Sequence, residues 1–141
     1  MIQPSQIVNV PIVDILEICE LKSVGNEIPF IRAFIELESK VLFELGAYSP
    51  WNSKLLITDV QEELRLKMQS NSKLKALFSG LSIVDILRSE YWGYLSVLLS
   101  NNVALYIGDD IMSQQLTYCE FDSKQIPEDV TSWLTGVIGQ E

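Results

Sequence analysis

The chain has 141 residues, 48% hydrophobic and 21% charged, which suits one self-supporting globular domain over 1–141 and excludes a disordered chain. Its formal net charge is −9 and it contains no histidine. This balance argues against nucleic acid and against an anionic membrane surface, because both are bound by neutralising phosphate with Lys and Arg. The missing imidazole removes Ser–His and Cys–His nucleophilic catalysis.

Metal and redox chemistry are similarly narrowed. Mixed Cys/His zinc sites cannot form, and Cys19 with Cys119 are too few for a four-cysteine site. Both thiols lie inside apolar-periodic segments and read as reduced, buried small hydrophobes. Met1 to Val10 lacks the basic start and apolar run of a signal peptide. The longest apolar stretch, Tyr94 to Leu99, is interrupted by Ser96 and is too short to cross a bilayer. A cytoplasmic protein without metal or cofactor is expected.

In chain order, Gln6 to Val10 alternates β-branched residues and competes for a strand. Pro11 follows, and then "IVDIL" (Ile12 to Leu16) opens a segment in which Ile12, Ile15, Leu16 and Cys19 keep the spacing of one helical face. Gly25 and Asn26 supply its stop. Pro29 opens "PFIRAFIELESKVLFELG", where Phe30, Phe34, Leu37, Val41 and Leu45 form a helical stripe that Gly46 closes. After a loop over 47–54, the spacing of Thr58 and Gln61 predicts a helix from Asp59 to Gln69. A short helix over Lys73 to Phe78 follows.

A second "IVDIL" begins at Ile83, and Ser82 with Asp85 predicts a helix start there that runs to Ser100. The pentapeptide recurs without its surroundings: Glu17-Ile18-Cys19 faces Arg88-Ser89-Glu90. Two convergent helix starts therefore account for it better than a duplicated half, whose period should persist along the unit. Beyond Asn101-Asn102 the pattern alternates, and Val103 to Ile107 with Leu116 to Phe121 predict two strands. Pro127 then opens a helix with Val130, Trp133, Leu134, Val137 and Ile138 on one face. The expected fold is mainly helical α+β, with about five to six helices and one antiparallel β-hairpin before the C-terminal helix.

No motif specifies a reaction. Asp109 and Glu120 have the outer spacing of a calcium loop, but Ile111 and Gln114 stand where a ligand and the turn glycine belong. Glu36 with Glu38, and Glu62 with Glu63, lie too close in sequence to face each other on a helix. Charge is uneven: residues 91–141 hold seven acids and one base, Lys124, which gives −6 of the total −9. Asp109, Asp110, Glu120 and Asp122 cluster on or beside the predicted hairpin, with no helix dipole to explain them. Trp92 falls off the buried stripe of its helix and suits an interface anchor.

The size, acidity and strand–strand–helix ending resemble small acidic chaperones and antitoxin-like or immunity proteins at the level of class. A non-enzymatic interaction module is expected, one that binds a basic protein partner by occlusion through Asp109, Asp110, Glu120, Asp122 and Trp92. The alternative is a small apolar-ligand-binding domain built on Tyr91, Trp92, Tyr94 and Tyr106. The slightly positive mean hydropathy also predicts a homodimer, through surplus apolar surface.

Overall fold

The computed structural model describes residues 3–20, 30–46, 62–89, 94–109, 114–121 and 130–132. It corrects the helical expectation: the chain forms two antiparallel sheets, with two short helices among the described residues. The first sheet has the order β3-β2-β1-β4, built from β1 (Ile12–Glu20), β2 (Phe30–Leu37), β3 (Leu42–Leu45) and β4 (Gln69–Ser70). The second has the order β8-β7-β6-β5-β9. Its members are β5 (Ile83–Ser89), β6 (Tyr94–Leu99), β7 (Val103–Asp109), β8 (Gln114–Glu120) and β9 (Thr131–Ser132). Helix α1 (Glu62–Lys67) precedes β4, and α2 (Ser72–Phe78) leads into β5. Helix α1 lies within the helix expected over 59–69, and α2 starts one residue before the helix expected over 73–78 and ends with it. The described part of the expected C-terminal helix contains strand β9 instead.

The misread segments are strands because both of their faces are buried. Ile12 and Ile15 enter the central core between the sheets, while Leu16 and Ile18 enter a second cluster on the outer face. A strand apolar on both faces loses its two-residue alternation, and a helical stripe can then be drawn through it. The stripe through 34, 37, 41 and 45 is divided in the same way. Leu37, Val41 and Leu45 line the central core, and Phe34 lies on the opposite face. Lys40, at φ 71°, turns the chain between β2 and β3, with its N–H bonded to the Leu37 carbonyl at 3.0 Å.

The two sheets repeat one plan. Residue numbers in β1 and β5 differ by 71 (Ile12 to Ile83), and those in β2, β3 and β4 differ by 62 from β6, β7 and β9 (Ile35 to Val97, Ser70 to Ser132). Each first strand carries a register irregularity at the same place, Ile12/Asp14 and Ile83/Asp85. Residues of left-handed backbone also pair: Asn9 (63°) with Gly80 (85°), and Lys40 (71°) with Asn102 (65°).

Contacts between the halves are reciprocal. The Asn9 N–H donates to the Ile83 carbonyl and the Gly80 N–H to the Ile12 carbonyl, both at 2.9 Å. Pro11 and Ser82, also 71 apart, meet each other in a β-bridge, so a pseudo-two-fold axis passes beside them. The duplicated "IVDIL" is therefore the opening strand of two equivalent halves, not a pair of helix starts. The nine-residue difference between the two offsets falls in the β1–β2 and β5–β6 connections, and it hides the repeat from a fixed-period comparison.

Three apolar layers result. The central core holds Ile12, Ile15, Ile35, Phe43, Ile83, Ile86, Val97 and Leu105 with Leu74 and Phe78 of α2. The outer clusters hold equivalent positions, Leu16, Leu42 and Met68 on one side and Leu87, Ala104 and Val130 on the other. Strand β8 is an addition to the second sheet, seven residues in unbroken register with β7. Among the described residues of the first half it has no counterpart.

Candidate interaction edge

The expected antiparallel hairpin over 103–121 is present as β7 and β8, with Asp109 paired to Gln114 and Val103 to Glu120. Asp109 and Glu120 thus stand at opposite ends of the ladder, about 20 Å apart along the strands at about 3.4 Å per residue. Asp110, Asp122 and Trp92 lie outside the described residues. The structure brackets the strand with Asp109 and Glu120; it does not gather them into one patch.

Among the described residues, strand β8 is the terminal strand of its sheet. The Phe121 N–H donates to the Asn102 carbonyl at 2.9 Å, so Phe121 turns its backbone toward β7. Antiparallel strands alternate the direction of their polar groups, so Thr117 and Cys119 also face β7, whereas Leu116, Tyr118 and Glu120 turn N–H and C=O outward. Gln115, Tyr118 and Glu120 are exposed, while the β7 residues Ala104, Leu105 and Ile107 are buried. The side chains anchor the strand on both faces. Leu116 packs on the central core, and the Tyr118 ring meets Phe78 edge-on at 5.2 Å. On the other face, Cys119 and Tyr106 pack on the second outer cluster.

Proteins commonly guard such an edge with Lys, Pro or a bulge, since it is a template for another strand. The sequence "QQLTYCE" has no Lys or Pro, and its register with β7 is regular. The edge therefore offers a row of main-chain donors and acceptors flanked by negative charge.

Of the expected aromatic ligand site, Tyr106 is a packing residue whose side chain hydrogen-bonds Cys119. Tyr91 and Trp92 fall outside the described residues. A shallow pocket of about 170 Å³ lies instead on the first outer face, lined by Leu16, Glu36, Leu42, Arg65 and Met68. It is smaller than the roughly 300 Å³ at which small-molecule sites begin. Beside it Arg32 grips Glu44 through two bonds of 3.0 Å and lies 5.2 Å over the Phe34 ring.

Cys119 is half-buried, and burial pushes its thiol pKa up, against the smaller lowering effect of the Tyr106 hydrogen bond. This thiol is a packing group. No cluster of three or more Cys, Asp or Glu among the described residues could hold a metal ion.

Sequence reasoning missed the pair Asp14 and Asp85. Each accepts the N–H of the next residue at 2.8 Å and a serine hydroxyl from the neighbouring short strand. Ser70 reaches Asp14 at 2.6 Å, and Ser132 reaches Asp85 at 2.5 Å. Each carboxylate therefore clamps a bulge to the strand beside it. Asp85 is 1% exposed, whereas Asp14 is half-buried and also meets Lys75 at 3.7 Å. The signal was available, since both aspartates are the centre of the repeated pentapeptide.

Comparison with protein-family models, with curated proteins and with solved structures finds no match. No helix among the described residues is long and apolar enough to cross a membrane.

Proposed function

We propose that this chain is a non-catalytic, cytoplasmic protein-interaction module that binds a basic protein partner through its second half and acts by occluding that partner. The observation that carries the reading is the exposed terminal strand β8, bracketed by Asp109 and Glu120 in the third of the chain that holds −6 of the charge. Opposite charge steers association and fixes register, while the apolar centre of an interface supplies most of the affinity. Tyr118, 40% exposed on β8, is suited to that centre. The two aspartates central to the repeat are committed to holding bulges, a structural use of carboxylates that leaves the edge as the distinctive surface.

The test is affinity capture with the parent chain and with a Glu120→Lys variant, followed by binding measurements with each purified partner at rising salt. The parent should hold a partner whose association weakens with salt, because exposed charges are screened within about 8 Å at physiological ionic strength. The reversed variant should associate at least several-fold more slowly while keeping its stability. Equal rates and equal salt dependence would contradict the proposal.

A further inference from the structure

We infer that β8 receives an extended, basic segment of the partner as an added antiparallel strand, so that the second sheet gains one strand at this edge. This rests on the reading above that the partner is basic, and it adds the mode of recognition. Three observations carry it. The outward N–H and C=O groups of Leu116, Tyr118 and Glu120 follow from the Phe121–Asn102 bond and the regular β7–β8 register. Tyr118 and Glu120, alternate residues on one face, and Gln115 on the other are exposed along the strand, so a neighbour can approach it. No Lys, Pro or register shift protects it.

Charge selects the occupant. A second copy of this chain would bring another −9 against an edge flanked by Asp109 and Glu120, whereas a cationic segment is attracted there. The spacing is also specified. Glu120 lies at one end of the seven-residue ladder on β8 itself, and Asp109 at the other end on the neighbouring β7, so a strand with Lys or Arg about six residues apart carries one cation toward each acidic end. Strand addition draws affinity from main-chain bonds, and side chains at alternate positions set specificity.

A suitable probe is a synthetic heptapeptide, Lys-Thr-Val-Thr-Val-Thr-Lys, titrated against the full chain. Its counterpart carries N-methyl groups on every second amide and so cannot complete the ladder. Parent protein should bind the unmodified peptide with salt-sensitive affinity, and N-methylation should cost at least tenfold. Tyr118→Pro removes an outward N–H without touching the bonds to β7, while Tyr118→Ala keeps it. The proline variant should bind at least tenfold more weakly than the alanine variant. If Tyr118→Pro does not fold, the N-methylated peptide gives the same comparison on the parent chain.

Equal binding of the two peptides, or of the two folded variants, overturns strand addition and leaves the charge-based reading standing. Failure of the parent to bind the peptide also overturns it. Capture of a basic, salt-sensitive partner alongside such a failure shows that only the mode was wrong.

Discussion

Asp14 and Asp85 occupy one position in two environments, and the difference sets their contributions. Removing Asp85 leaves the Ile86 N–H and the Ser132 hydroxyl without this acceptor in a site that is 1% exposed. A stranded buried donor costs about 1–3 kcal/mol, so Asp85→Ala should lower stability by about 2–3 kcal/mol. Water can replace the acceptor at Asp14, and its Lys75 partner is 47% exposed. Asp14→Ala should therefore cost about 1 kcal/mol or less. Denaturant titration of the two variants checks the order, and equal losses would contradict the clamp. Cys119 offers a second test. Burial raises its pKa while the Tyr106 hydrogen bond lowers it, so thiol alkylation should have its midpoint above that of a free cysteine. Tyr106→Phe removes the lowering effect and should move the midpoint higher still; a downward shift would reverse the assignment.

At the scale of elements, the turn between β2 and β3 stores strain that its equivalent partly offsets. Lys40 and Asn102 share left-handed backbone, but the Asn102 side chain also donates to the Phe121 carbonyl at 2.8 Å. Lys40→Gly should stabilise by about 0.5–1 kcal/mol, the cost of a side chain in that region net of glycine's extra unfolded entropy. Asn102→Gly should give no such gain, because it deletes a hydrogen bond. Thermal unfolding of both variants decides this. The same turn shows what the sequence could disclose. "ESK" contains neither Gly nor Pro, so nothing marked a break between Phe30 and Gly46 and the segment read as one helix. The exposed helices were legible because one of their faces is wet, and the hairpin because β8, at the end of its sheet, leaves Gln115, Tyr118 and Glu120 exposed. β1, β2, β5 and β6 were not, because sheets covered on both sides lose their period. Of the candidate site, the acidic bracket was legible from charge alone. The edge itself was not, since strand order depends on pairing that local patterns do not encode.

At the scale of the molecule, two equivalent halves joined about Pro11 and Ser82 enclose one core, and each carries an outer cluster of its own. The halves have diverged on their surfaces. Arg32 and Glu44 form an ion pair on the first outer face, where the position equivalent to Glu44 on the second is Tyr106, packed on Phe121 and its neighbours. Strand β8 gives the second half an added edge strand, where among the described residues the first sheet ends on the four-residue β3 instead, and the proposed function rests on that asymmetry. Amide hydrogen exchange along 114–121, followed residue by residue by NMR, tests this account most directly. The amides of Thr117, Cys119 and Phe121 face β7 and should exchange slowly, while those of Leu116, Tyr118 and Glu120 face outward and should exchange at least a hundredfold faster, about 3 kcal/mol less protected. Addition of the basic heptapeptide should slow the fast set alone. Uniform protection along the strand in the free protein would show that the edge is already covered, and would contradict the assignment of β8 as the binding edge.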